Sequence, residues 1–221
     1  MSDNLQNTIR IKVCGMREPD NILSLAALLP DYIGFIFYGP SKRYAGELDR
    51  DVLQQLPRPI KKTGVFVDAG LDEILETKSL YNLNAVQLHG NESAEVCQAL
   101  QDHQTEVIKA FGVDESFNFA VLNEYKDVVD YFLFDTKTKL HGGSGQTFNW
   151  DLLDAYSLDV PYFLSGGLDT ANIEQALDIR DERFYALDLN SRFELAPGLK
   201  DIAKLSQAIN RIKTKPTGLI K

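Results

Sequence analysis

Eight short runs rich in Val, Ile, Phe or Tyr follow one another along the chain of 221 residues, each separated from the next by a stretch carrying helix-start signals. The runs are Ile9–Cys14, Tyr32–Phe37, Lys61–Val67, Ala85–Leu88, Val107–Phe111, Val129–Phe134, Tyr162–Leu164 and Phe184–Leu187. Such alternation builds a parallel sheet through crossover helices. Eight units predict a closed α/β (β/α)8 barrel, a TIM barrel, because these barrels occupy about 200–250 residues. Helix starts are expected at Glu18-Pro19-Asp20, between Asp68 and Asp72, at Asn91-Glu92-Ser93 and at Asp169-Thr170. There a capping side chain, a proline or an acid suits the first turn. The whole chain, 1–221, reads as one domain, with residues 1–8 and 213–221 expected to fray because they lack apolar periodicity. An open doubly wound sheet uses the same alternation. It is disfavoured by the strand count, and neither GxGxxG after the first strand nor GxxxxGK occurs.

The net charge of −9 repels phosphate backbones, so nucleic acid is not expected as a partner and any phosphate must be gripped locally. No apolar run approaches the length of a membrane span, and no apolar signal segment opens the chain. With two cysteines only, Cys14 and Cys97, a reducing cytoplasmic compartment is expected.

In a barrel the reactive groups come from the carboxyl ends of the strands and the loops behind them. The first strand ends Lys12-Val13-Cys14-Gly15. Alternation puts Lys12 on the side of Cys14, where an ammonium favours the thiolate; taken alone, a single cysteine is as readily a small buried hydrophobe. Cys97, inside the helical run Glu92–Leu100, reads as packing. An apolar sixth strand delivers Asp135 to the mouth, where desolvation should raise its pKa into the range of a general acid. Its bland alternative is a loop hydrogen bond. Arg43, in the Pro- and Gly-bearing loop after the second strand, has the fork that pairs with a carboxylate, although most loop arginines are only solvated. Gln87 and His89 share one face at the end of the fourth strand and are candidates for substrate contact, as is Lys12. His103 and His141 add no ligand spacing for a metal.

Three further segments follow the last three strands: His141-Gly142-Gly143-Ser144-Gly145, Ser165-Gly166-Gly167-Leu168 and Asp188-Leu189-Asn190-Ser191. Glycine lets backbone amides approach an anion, and barrels of this kind recurrently hold phosphate behind strands seven and eight. Gly143, Ser144, Gly145, Gly166, Gly167, Asn190 and Ser191 are therefore the candidate phosphate ligands.

From about Ile11 to about Ile212 the chain resembles the phosphoribosylanthranilate isomerase family of tryptophan biosynthesis. The resemblance rests on Lys12-Val13-Cys14-Gly15-Met16, Gly34-Phe35-Ile36-Phe37, Gly64-Val65-Phe66-Val67, Val86-Gln87-Leu88-His89-Gly90 and Phe134-Asp135, in that order. It continues through Gly142-Gly143-Ser144-Gly145, Ser165-Gly166-Gly167-Leu168 and Pro197-Gly198-Leu199-Lys200-Asp201. It implies that Cys14 is the general base and Asp135 the general acid of an Amadori rearrangement. It further implies that Arg43 engages the anthranilate carboxylate and that the late glycine loops hold the phosphate. The implied partner is a small phosphorylated ribosylamine. No metal or organic cofactor is expected, because the substrate amine supplies the iminium, and oligomeric state is left open.

The eighth loop departs from the family pattern. Asn190 and Arg192 stand in Asp188-Leu189-Asn190-Ser191-Arg192-Phe193-Glu194, where the family usually has Asp-x-Ser-Ser-Gly-x-Glu. If the position of Arg192 requires positive φ, its backbone must shift or bear strain. Ser144 replaces a usual Thr, Ser165 a usual Ala, and Lys42 the proline usual before Arg43. Two other readings stand beside the isomerase: another phosphosugar isomerase or epimerase, and a non-catalytic barrel that only binds sugar phosphates.

Overall fold

The computed structural model describes residues 9–137 and 147–215. Eight parallel strands, β1 (Arg10–Val13), β2 (Tyr32–Ile36), β3 (Lys61–Phe66), β4 (Ala85–Leu88), β5 (Glu106–Val113), β6 (Tyr131–Thr136), β7 (Tyr162–Leu164) and β8 (Phe184–Leu189), close into a barrel in chain order. The closure pairs Arg10 to Val13 with Ala186 to Leu189. The expected (β/α)8 barrel is therefore the fold. The strand bounds agree with the sequence reading to within two residues, and β4 and β7 match it at both ends. β5 extends past Phe111 to Val113, and β6 begins at Tyr131 because the Asp130 carboxylate instead ties the strand entry, accepting from Val107 N–H at 2.8 Å.

The crossovers are regular early and abbreviated late. α1 (Pro19–Ala26), α2 (Arg50–Gln54), α3 (Leu71–Tyr81) and α4 (Ala94–Asp102) follow the first four strands. Two 3₁₀ segments, Phe119–Glu124 and Trp150–Ala155, then replace full helices, and α5 (Ile173–Ala176) is a single turn. Asp169 does cap, but it caps a turn: its Oδ1 accepts from the N–H groups of Ala171 and Asn172, and α5 begins only at Ile173. The last helix, α6 (Ile202–Thr214), opens on Asp201, whose carboxylate accepts from Lys204 N–H at 2.9 Å. Lys213 and Thr214, expected in the fraying tail, instead complete α6. Lys213 Nζ ties them down by donating to the carbonyls of Leu28 and Leu29 at 3.2 and 3.0 Å. Among the described residues no helix is long and apolar enough to cross a membrane.

Two apolar layers result. Outside the barrel, helix faces pack on the strands: Leu205, Ala208, Ile209 and Ile212 recur at helical spacing and are all buried. Each of the leucine and isoleucine side chains contributes roughly 1.5–3 kcal/mol by leaving water. Cys97 belongs to this layer, fully buried on α4 as expected. Inside the barrel, Tyr32, Ala85, Ile108, Ala110, Leu133, Phe163 and Ala186 form a separate cluster. Phe163 meets the rings of Tyr32 and Tyr131 edge-on, both with centroids 5.3 Å away. The barrel floor is thus packed with apolar side chains; below it the hydroxyls of Tyr32 and Tyr185 meet at 3.2 Å and Lys61 pairs with Glu106, and a second set of polar groups lies above it, nearer the strands' carboxyl ends.

Candidate active site

Side chains alternate along a strand, so the residue two beyond each floor residue also points inward. Those residues are Gln87 above Ala85, Asp135 above Leu133, Ser165 above Phe163 and Asp188 above Ala186. Together with Cys14, Arg43 and His89, they line one pocket at the carboxyl ends of the strands. Gly166, Gly167, Asn190 and Ser191 line the same pocket. Gly143, Ser144, Gly145 and most of the loop between Lys137 and Thr147 lie outside the described residues.

Lys12, expected to touch substrate, does not reach the pocket surface. It is wholly buried, and its Nζ donates to Asp188 Oδ2 at 3.0 Å. Burial works against the ammonium, yet Asp188 and Cys14 hold its pKa above the ordinary 10.5, so it stays charged.

Cys14 follows β1, its N–H donating to Leu189 O at 2.9 Å. Lys12 favours the thiolate, as the alternation implied, and Lys200 does so too. Burial nevertheless outweighs both and pushes the thiol above its ordinary 9.0, with the Asp188 carboxylate adding to the rise. A raised thiol pKa means that Cys14 must give up its own proton before it can act as a base.

The carboxyl of Asp135 shifts upward, as burial at a strand end leads one to expect. Burial, reinforced by the charge of Asp188, pushes its pKa up to about 6, against hydrogen bonds from Thr136 N–H and Ser165 and the charge of Lys12. Thr136 N–H meets Asp135 Oδ1 at 2.8 Å. His89 Nε2 stands 3.7 Å from Asp135 Oδ2, and its Nδ1 lies 3.2 Å from Gln87 Nε2. A carboxyl group titrating near neutrality can hold a proton for donation and take it back.

Arg43 reaches the pocket, but its guanidinium is already paired. Nε lies 2.9 Å from Glu194 Oε1 and Nη2 lies 2.7 Å from Glu194 Oε2. Glu194 sits where the barrel chain enters a short ribbon, Glu194–Ala196 paired with Leu199–Lys200, and it also accepts from Lys200 Nζ at 2.6 Å. Lys200 Nζ in turn donates to Asn190 Oδ1 at 2.8 Å. Asn190, expected to hold phosphate, therefore has its oxygen committed and offers the pocket only its amide N–H groups. Gly166 and Gly167 have φ of +89° and +61°, a left-handed turn that side chains disfavour. Arg192 needs no such conformation: it lies in the 3₁₀ turn Ser191–Phe193 with no positive φ, so no strain follows from the missing glycine.

Asp188, Glu194 and Lys200 were absent from the sequence candidates. Period-2 counting from Ala186 would have found Asp188. Glu194 and Lys200 are legible only as motif residues, since the ribbon that joins them has no strong pattern.

The chain matches the family model described as N-(5'-phosphoribosyl)anthranilate isomerase over residues 11–211. It is 46% identical over 204 residues to a protein of that name from Parabacteroides distasonis, covering 91% of this chain and 92% of the relative. The solved phosphoribosyl anthranilate isomerase from Thermotoga maritima superposes with a TM-score of 0.80 at 36% identity, covering 94% and 100% of the two chains. A further solved isomerase of this name, in complex with reduced 1-(o-carboxyphenylamino)-1-deoxyribulose 5-phosphate, gives 0.77 at 33% identity, covering 94% and 100%.

Proposed function

Since the chain belongs to the N-(5'-phosphoribosyl)anthranilate isomerase family, we propose that it converts N-(5-phosphoribosyl)anthranilate to 1-(2-carboxyphenylamino)-1-deoxyribulose 5-phosphate, a step of tryptophan biosynthesis. The observation that carries the reading is the meeting of Cys14 and Asp135, from β1 and β6, in one pocket that also holds Arg43 and the Gly166-Gly167 turn. The reaction is an isomerisation, so every proton removed must be replaced. Asp135, with a pKa of about 6, protonates the ribose ring oxygen as the C1′–O bond breaks and a Schiff base forms. The resulting iminium places a positive charge beside C2′, which favours the Cys14 thiolate: the thiol proton passes to the Asp135 carboxylate left by ring opening, and the thiolate then takes the C2′ proton, so that both groups regain their starting protonation. The enolamine then tautomerises to the ketone. The iminium supplies the electron sink, so the chemistry requires no cofactor.

Asp188 stabilises this arrangement from below. It pairs with Lys12, and its charge keeps Asp135 protonated to a higher pH. The Gly166-Gly167 turn, Ser191 and the Asn190 amide would receive the phosphate, and Arg43 the anthranilate carboxylate. Two free cysteines, both buried, fit a reducing cytoplasm as the compartment. One barrel, proposed as the chain's single domain, suffices for the whole reaction.

The test is the loss of phosphoribosylanthranilate fluorescence with purified protein. Wild-type protein should turn the substrate over, and Cys14→Ala and Asp135→Asn should each lose about 10²–10⁴-fold in kcat while remaining folded. No wild-type turnover, in conditions where a known isomerase is active, would leave another phosphosugar reaction or a binding role as the reading.

A further inference from the structure

Glu194, Lys200 and Arg43 form a buried charge cluster with one carboxylate shared by two cations. The Glu194 side chain is 4% exposed, that of Lys200 not at all, and that of Arg43 15%. Hydrogen bonds from Arg43, Lys200 and Gly198 N–H converge on Glu194, and they hold its carboxyl below the ordinary 4.5 although burial opposes this. The cluster is built on a fixed frame. The Asn21 side chain on α1 clasps the backbone of Lys200 from both directions, accepting from its N–H at 2.8 Å and donating to its carbonyl at 3.0 Å.

A guanidinium has two edges able to make paired hydrogen bonds. Glu194 occupies the side edge, Nε with Nη2, and the end edge, Nη1 with the second hydrogen of Nη2, is the one it leaves for a ligand. Arg43 itself comes from an irregular loop bearing Gly39 and Pro40, which does not by itself fix where the guanidinium points. The two cations against one carboxylate also leave the cluster one positive charge in excess, inside a chain of net charge −9. A ligand carboxylate placed end-on restores local neutrality.

Building on the substrate proposed above, we infer that Glu194 and Lys200 are positioning residues for carboxylate recognition: Glu194 sets the plane and direction of the Arg43 fork, and Lys200 holds Glu194 in place. Neither touches the reacting atoms. Selection of a substrate bearing an ortho carboxylate on its aromatic ring therefore depends on two residues outside the pocket lining. Lysine at position 43 would not substitute, because an ammonium has no second edge.

The experiment compares steady-state turnover of phosphoribosylanthranilate with that of phosphoribosylaniline, which lacks the carboxylate, in wild type, Glu194→Gln and Glu194→Asp, with thermal melts as a check on folding. Both variants should raise KM for the carboxylated substrate on the order of tenfold, the effect of one misdirected charge-assisted hydrogen bond, with kcat within about threefold. KM for phosphoribosylaniline should stay within about threefold of wild type. Glu194→Asp keeps the charge but shortens the reach, so its loss isolates direction from charge. Equal losses on both substrates, or none on the carboxylated one, would overturn the inference. Failure of the wild type to act on either substrate would instead overturn the reading of the reaction.

Discussion

Lys12 Nζ and Asp188 Oδ2 meet at 3.0 Å across the seam where β8 closes onto β1, with no solvent reaching the lysine. Their Cα positions are register partners, so the pair is set by the strand alignment itself. Just above lie Cys14 and Asp135, whose protons the proposed reaction moves. The pair therefore serves both the stability of the seam and the charge balance of the site.

Breaking the pair from one side should be costly. Lys12→Met leaves Asp188 buried without its cation and is expected to lose about 3–5 kcal/mol, read by urea unfolding. Adding Asp188→Leu removes the orphaned charge, and the double variant should regain most of that loss. A double variant as unstable as the single one would show that shape rather than charge governs the seam.

Asp135 makes stability fall as pH rises. Its carboxyl moves from 3.8 to about 6 on folding, so between those values the folded chain binds the proton more tightly than the unfolded one. Stability from this group is full below pH 4 and is lost as pH climbs through 6, by roughly 3 kcal/mol in all. Asp135→Asn cannot ionise and keeps an acceptor for Thr136 N–H. Relative to wild type it should gain stability between pH 4 and pH 8, and denaturation curves at the two pH values would reveal a constant difference if the shift were absent.

Cys14 should resist alkylation. A buried thiol whose pKa is raised presents little thiolate at pH 7, and the same holds for Cys97, pushed up to about 11. Iodoacetamide labelling followed by mass spectrometry should be at least ~100-fold slower for both in the native protein than in urea. Native labelling of Cys14 at the unfolded rate would mean that Lys12 and Lys200 win over burial.

Gly34 on β2 leaves the space that Cys14 fills. A Cβ added there would fall 2.8 Å from Cys14 Sγ and 3.1 Å from its Cα. Gly34→Ala should therefore push the base aside and lower kcat by about 10²-fold, more than it lowers stability. Wild-type kcat in this variant would show that the thiol position is not critical.

Strand order, and strand bounds to within two residues, could be read from the sequence because hydrophobic runs and their period report local burial. Cys14, Asp135, Gln87 and His89 were legible for the same reason: each stands at an inward position near a strand end. The ionisation of Cys14 was not, because the sign of its shift depends on how burial weighs against Lys12, Lys200 and Asp188, a comparison of distances. The Arg43–Glu194 contact spans 151 positions in sequence, and no local signal announces it. Nor could the late crossovers be sized, since Asp169 supplies a genuine cap for a turn that α5 does not extend.

The ribbon between Glu194 and Lys200 sets a rule for how this surface can change over generations. Its outer side meets water, with Leu195 69% exposed, while the two side chains at its base are sealed and joined by an ion pair. Leu195 and Ala196 are free to drift, whereas Gly198, buried with a φ of +85° and with Arg17 Cδ 2.5 Å from where a Cβ would stand, is not. Nor is the number of residues between the two ends, because one inserted or deleted position would rotate a buried charge toward an apolar wall. Among related chains Leu195 and Ala196 should vary, while the segment holds its length and its Pro197-Gly198 turn.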